Sequence, residues 1–358
     1  MDAVEFVDRF LTDGHDRSGS AGRIDAASSG LDAQGVLAAL ADERLDRRNA
    51  IEMMADLMHP DDSMYYDAIY GAFHGQADIR GWLVPTMQEI DFIDFVPQMP
   101  TAVFEDGAGG TSLDEWQMVA RLDGVEIPLS KGVSVRRYRD GWITWNADVY
   151  DTGPFRNPPD PESEAADLPP WPRTPWEATP RSGDIPLSPA VAAWLGARST
   201  SATNDIMHEP SGLTHRELFD VVHHPEIGCD WNVVADLMHP TECIYTDPIF
   251  GEFRGQSAIR SWLDDVMPKV GSVRFDAIGP VLFNGDASVQ EFMQLAVQPD
   301  GSTVPIVRGT SVRRYADGWI VYAADYFDTA PLADPEIRAA SLAAGSALTV
   351  DDIVRYRG

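Results

Sequence analysis

Apolar residues in the second half of the chain recur with a helical period. Ile259, Trp262, Leu263, Val266 and Met267 fall at i, i+3, i+4, i+7 and i+8, which predicts one helix with a single buried face. The first half carries the same stripe as Ile79, Trp82, Leu83 and Met87. Upstream, Gly30-Leu31 and Gly212-Leu213 open comparable helical stretches. Two helices precede each stripe and end at Leu57-Met58-His59-Pro60 and Leu237-Met238-His239-Pro240, because proline discourages helix in the residue before it. A short strand is expected around Tyr65 and Tyr245, followed by several strand-like runs. Asp140-Gly141 and Asp317-Gly318 join the last two runs, and this dipeptide favours tight hairpin turns. Helix, helix, strand, helix and then an antiparallel run is an α+β order, with helices packed in a curved, mostly antiparallel sheet. Such a cone tends to leave an apolar pocket.

The two halves are copies. "ADLMHPDDSMYYDAIYGAFHGQADIRGWL" (Ala55 to Leu83) recurs as "ADLMHPTECIYTDPIFGEFRGQSAIRSWL" (Ala235 to Leu263). "GVSVRRYRDGWITWNADVYDTGP" (Gly132 to Pro154) recurs as "GTSVRRYADGWIVYAADYFDTAP" (Gly309 to Pro331). The expected organisation is an N-terminal helix and flexible segment over 1–29, domains at 30–155 and 190–332, a proline-rich linker at 156–189 and a helical tail at 333–358. Proline makes the linker an extended, semi-rigid strap, with Trp171 and Trp176 either pinning it to a surface or exposed.

Composition narrows the partners. A formal charge of −30, with acids scattered through the chain, speaks against nucleic acid or an anionic membrane surface. Only Cys229 and Cys243 occur, so no disulfide framework is expected and a reducing cytoplasm is the default. The start "MDAVEFVDRFLTDGHD" lacks the basic, continuously apolar character of a signal peptide.

The segment "YTDPIFGEFRGQSAIRSWL" resembles the surroundings of the catalytic base in ketosteroid isomerases. The ending "YAADYFDTA" resembles the last strand of limonene-epoxide-hydrolase-like proteins. Each copy thus resembles the SnoaL/ketosteroid-isomerase branch of the NTF2-like, cone-shaped fold. The resemblance implies Asp247 and Asp67 as bases, with Asp325 and Asp148 as second catalytic carboxylates. Where ketosteroid isomerases place an oxyanion-donating acid, this chain has Ser134 and Ser311. Where limonene epoxide hydrolases carry their Arg-x-Asp strand, it offers Glu115 or Gln117 and Glu291 or Gln294.

Two carboxylates in an apolar cone do not both ionise freely, so at least one pKa should rise toward neutrality. One then serves as base and the other as acid, suiting isomerisation, dehydration, cyclisation or epoxide opening, with no metal or cofactor required. Each residue has a structural alternative. Asp67 and Asp247 also suit turn starts, as do Asp151 and Asp328, and Asp148 and Asp325 could face solvent. Tyr65 and Tyr245 could donate to a substrate oxygen or simply fill the core. Glu115 and Glu291 fit the pocket or an exposed strand; Trp82, Trp262, Trp116 and Phe292 fit its walls or the core. His59 and His239 end helices, where imidazole can meet free carbonyls. His223-His224, present in one copy, lacks companion metal ligands. One arginine of each pair, Arg136-Arg137 and Arg313-Arg314, should bridge to an acid.

These readings lead to an acid–base enzyme acting on a hydrophobic, oxygenated small molecule such as a polyketide, terpenoid or steroid. The other reading is a non-catalytic binding or scaffold protein, with the duplication forming an intrachain pseudo-dimer; a homodimer is also possible. The second copy has the cleaner motif, because Ala68 replaces its Pro248 in the first.

Overall fold

A computed structural model describes residues 2–13, 30–105, 109–122, 124–156, 187–198, 207–224, 227–228 and 230–349, with positions 168, 178, 352 and 355. Cys229, Trp171, Trp176, most of the proline-rich linker and residues 14–29 of the expected flexible segment lie outside the described residues. The chain forms two compact units, Met1–Thr174 and Pro175–Gly358.

The first unit runs α1 (Ala3–Asp13), α2 (Ala33–Leu40), α3 (Arg47–Asp56), β1 (Met64–Asp67), β2 (Gly71–His74), α4 (Gly75–Glu89), β3 (Ile93–Pro97), β4 (Ala102–Glu105), β5 (Gly109–Leu122), β6 (Val125–Arg139), β7 (Trp142–Tyr150) and the short α5 (Gly153–Arg156). Its sheet has the order β2-β1-β7-β6-β5-β3, with β4 also paired to β5. All neighbours are antiparallel except β1 and β7.

The second unit repeats the plan as α6 (Pro189–Arg198), α7 (His215–His223), α8 (Trp231–Asp236), β8 (Ile244–Asp247), β9 (Gly251–Arg254), α9 (Gln256–Val270), β10 (Val273–Ala277), β11 (Leu282–Phe283), β12 (Ala287–Val297), β13 (Thr303–Ala316), β14 (Trp319–Phe327) and α10 (Pro335–Ala343). The order β10-β12-β13-β14-β8-β9, with β11 on β12, mirrors the first sheet.

Local sequence explains the element ends. Asp32 and Asp46 accept amides of the first turns of α2 and α3, and Thr214 forms a capping box with Glu217 at α7. Both Asp-Gly turns place two consecutive residues at positive φ, 52° and 80° at Asp140-Gly141 and 48° and 78° at Asp317-Gly318. That is the mirror-image turn whose twist suits a hairpin. The imidazoles of His59 and His239 do not meet helix carbonyls as expected. Each Nδ1 instead accepts amides of the following turn, Asp61-Asp62 and Thr241-Glu242.

The predicted helix stripes are buried. Ile79 and Leu83 pack with Met53, Leu57 and Phe6 in one core, and Ile259, Trp262, Leu263 and Val266 pack with Leu218 and Leu237 in the other. The outer helices α1 and α6 join these cores through Phe6, Val7 and Phe10, and through Val191. Inside each core a buried ion pair fixes the long helix. Arg80 pairs with Asp56, and Arg260 pairs with Asp236, which also receives Arg198 from α6. Arg80 and Arg260, which follow Ile79 and Ile259 in the two copies of the repeated helix, are therefore structural clamps.

Candidate active site

The site begins with strand register. β1 and β7 pair in parallel, with Asp67 directly beside Asp148. Parallel neighbours in register present their side chains to the same face. Ser134 of β6 stands opposite Asp148 from the other side. In the second unit Thr246 pairs with Ala324, so the next step of that register sets Asp247 beside Asp325, while Ser311 stands opposite Asp325. The four proposed catalytic aspartates thus form one side-by-side pair per unit.

Each pair is held by specific donors. Asp67 Oδ1 accepts the amides of Ile69 (2.8 Å) and Tyr70 (3.0 Å), and the Tyr150 hydroxyl lies 3.1 Å from Oδ2. Asp247 Oδ1 likewise accepts the amides of Ile249 (2.7 Å) and Phe250 (3.0 Å). The turn reading and the site reading of these aspartates are therefore compatible: the turn amides fix the carboxyl while its strand position places it beside the second acid. Asp148 accepts from Tyr65, from Ser134 Oγ at 2.6 Å and from Asn146 Nδ2 at 3.1 Å. Asp325 accepts from Tyr245, from Ser311 Oγ at 2.5 Å and from Arg313 at 3.3 Å.

Burial of Asp67, reinforced by the charge of Asp148, pushes its pKa up to about 7 against the pull of its amide and Tyr150 hydrogen bonds. Tyr65 and Tyr245 are pushed well above the phenolic range, first by burial and then by the aspartates they bond. They donate to the second aspartate of each pair, a partner that neither sequence reading, substrate donor or core filler, contained. For Arg313, burial is the largest single influence and opposes the charge, but Asp325 together with Tyr245 and Tyr315 outweighs it, so the guanidinium pKa is raised.

A cavity of about 600 Å³ opens in the second unit. Asp247, Asp325, Tyr245, Ser311 and Arg313 all line it, and Trp262 and Phe292 form part of its apolar wall. Phe292 leans over Gly309, where a Cβ would come within 2.4 Å of its ring. In the first unit Trp116 leans over Gly132 in the same way, and its indole donates to Ser134 at 2.9 Å. Trp82 stacks on Phe73 at 4.3 Å, as Trp262 does on Phe253 at 4.5 Å.

Glu291 does not join the site. On β12 the alternate residues Gln290, Phe292 and Gln294 line the cavity, so Glu291 points to the other face, where it pairs with buried Arg308 at 2.6 Å. Glu115 is buried between Asp114 and Trp116, whose side chains reach Arg136 and Ser134, so it too faces away from the aspartates. The expectation of a third pocket acid at these positions is corrected.

The expected ion pair of one arginine in each Arg-Arg step is formed by Arg136 and Arg313, whereas the cavity positions of His223 and Gln290 were missed by sequence reasoning. His223 lines the cavity, with Nδ1 3.0 Å from Gln290 Oε1 and Nε2 3.3 Å from Ser288 Oγ. The available signal was the divergence between copies: Gln290 replaces Asp114. In the first unit Asp114 takes Arg136 as an ion pair, whereas in the second the matching Arg313 turns to Asp325.

A comparison with curated proteins found no match. Among solved structures, TerC co-crystallised with polyporic acid is 20% identical over 32% of this chain and 91% of its own, at a TM-score of 0.27. A candidate isomerase of the SnoaL-like family from Agrobacterium tumefaciens is 20% identical over 33% of this chain and 93% of its own, at 0.25. An NTF2-like protein of unknown function from Cytophaga hutchinsonii is 14% identical over 30% of this chain and 94% of its own, also at 0.25. Residues 216–323, which hold Asp247, Tyr245, Ser311 and Arg313, match the family described as the SnoaL-like domain. The second unit of this chain carries a SnoaL-like domain.

Proposed function

We propose that the second unit is an acid–base enzyme that moves a proton on an apolar, oxygenated small molecule, with Asp247 as general base. The observation that carries this reading is the placement of Asp247 and Asp325 side by side on the wall of a largely apolar cavity. A ligand there displaces water, and a carboxylate stripped of water is a stronger base toward a carbon acid. Asp325, with Tyr245, Ser311 and Arg313 around it, forms a polar cluster that fixes a substrate oxygen or relays the proton. The chemistry needs one proton accepted and one returned, and isomerisation, dehydration and aldol-type cyclisation all fit. Polyketides, terpenoids and steroids have the matching size and oxygenation.

Epoxide opening is the second reading, favoured by the charged Arg313 in the polar cluster, which stabilises the developing alkoxide as its C–O bond breaks, while Asp247 takes a proton from the attacking water and returns it to that alkoxide. A substrate panel separates the two. Cyclic enones and β-hydroxyketones report proton transfer, and apolar epoxides in ¹⁸O-water report hydration by the label in the diol. Turnover of either class that disappears in Asp247→Asn supports the proposal; turnover that persists in this variant removes it.

A further inference from the structure

The C-terminal segment builds one wall of the second-unit cavity. After β14 the chain enters a 3₁₀ turn at Ala330–Ala333 and then α10, and Leu332, Arg338, Ser341, Ala344 and Leu348 all line the cavity. Arg338, Ser341 and Ala344 lie at i, i+3 and i+6, so one stripe of α10 faces the opening, while Ile337 is buried behind it. The wall is fastened to the rest of the unit. Ser272 N donates to Ala344 O at 2.8 Å, Ala347 N to Lys269 O at 2.8 Å, and Gln298 Nε2 to Ala340 O at 3.1 Å. Lys269 Nζ lies 2.7 Å from Asp352.

Two cations line this cavity, and they differ in what they meet. Arg313 is engaged with Asp325. Arg338 lines the cavity from its exposed side and has no ion pair and no side-chain hydrogen bond among the described residues, so its guanidinium is open to a ligand. The nearest acids along its own helix do not take it: Asp334 caps α10, with its Oδ1 2.8 Å from the Glu336 amide. The helix that carries Arg338 is anchored just past the C-terminal end of β12, whereas the β12 residue nearest the aspartates by register lies close to its start. Gln290 pairs with Ser311, the partner of Asp325, whereas α10 is held to Gln298, eight residues further along the same chain direction as β12.

We propose that the ligand of this cavity is an apolar molecule bearing a carboxylate, and that Arg338 binds that carboxylate and sets the ligand's orientation. The inference rests on the cavity being the substrate site of the proposed function. A guanidinium presents a planar fork that matches a carboxylate, and Arg338 is placed to offer it. Asp247 and Asp325 repel the same group from the other end. Attraction at one end and repulsion at the other hold the ligand one way round, with its uncharged, reacting part against Asp247.

The test uses the full chain and two fluorescent probes of matched shape, 1-pyrenecarboxylate and neutral 1-pyrenemethanol. The native protein is expected to bind the carboxylate more tightly than the alcohol. Arg338→Gln should weaken the carboxylate about tenfold and leave the alcohol within about twofold, and Arg338→Lys should recover part of the loss. Unchanged alcohol binding also shows that the wall is intact. Native protein that does not prefer the carboxylate, or an Arg338→Gln variant that treats both probes alike, overturns the proposal. Failure of the catalytic reading is seen separately, as turnover that survives Asp247→Asn, and does not alter the probe affinities.

Discussion

Asp67 and Asp148 are register partners on adjacent parallel strands, two carboxyl groups set side by side, the first buried and the second half-buried. Asp67 gives way. Burial, with the charge of Asp148 behind it, carries its pKa to about 7 from an ordinary 3.8. Between about pH 4 and 7 the folded chain therefore holds a proton that the unfolded chain has released. Stability contributed by this group is full below about pH 4, declines as pH rises to about 7, and is flat beyond. Urea unfolding at pH 5 and pH 7.5 should show a smaller pH-dependent loss in Asp67→Asn than in the native protein. Asp148→Asn removes the repulsion, so the Asp67 carboxyl, followed by carbon-detected NMR, should titrate at lower pH than in the native protein.

The aromatic over each strand glycine makes a second prediction. A methyl group at Gly309 would lie 2.4 Å from the Phe292 ring and 2.7 Å from the Tyr326 carbonyl oxygen. The backbone oxygen cannot swing aside, so Gly309→Ala should destabilise the second unit by about 1–3 kcal/mol. Because Phe292 walls the cavity, probe binding should weaken in the same variant. Chemical denaturation measures the first effect and pyrenemethanol titration the second.

The buried clamp at Asp236 gives a third. Its carboxylate joins Arg198 of α6 and Arg260 of α9, and all three side chains are largely enclosed. Asp236→Asn leaves two guanidinium groups without their countercharge, a loss of about 3–5 kcal/mol. Urea titration of the second-unit transition should show a loss of that size, with the first-unit transition unmoved.

Tyr245 acts through Asp325, to which its hydroxyl donates. Tyr245→Phe should lower kcat by about tenfold or more with little change in KM, since the lost bond positions the carboxylate and not the ligand. Ser311→Ala should act in the same direction, and steady-state kinetics on any substrate found in the panel separates the two parameters.

Much of this architecture was legible in the chain. The duplicated blocks, the helix stripe from Ile259 to Met267 and the Asp-Gly hairpins follow from local pattern or from repetition, while the joint placement of Asp247 and Asp325 was implied only by the family resemblance. The face occupied by Glu291 was not legible, because a strand's side chains alternate and a one-residue shift in register exchanges the two faces. The acceptor of the Tyr65 and Tyr245 hydroxyls was not legible either, because no local rule reveals a partner about eighty residues away in sequence. His223 and Arg338 depend on tertiary placement: one belongs to a helix end and the other to a tail whose docking carries no periodic signal. The copies also diverge where chemistry is set. Tyr150, which donates to Asp67, is replaced by Phe327 in the second unit, and Asn146 by Ala323. Such exchanges are visible in the sequence, but their meaning depends on which carboxylate each side chain meets.

The central claim is that Asp247 takes a proton from carbon in the second-unit cavity. Its most direct test is deuterium incorporation from D₂O at the α-carbon of a bound cyclic ketone, followed by mass spectrometry at neutral pD. The native protein and Asp67→Asn are expected to exchange at similar rates, with Asp247→Asn slower by about 100-fold or more. Equal exchange by the native protein and Asp247→Asn would contradict the account.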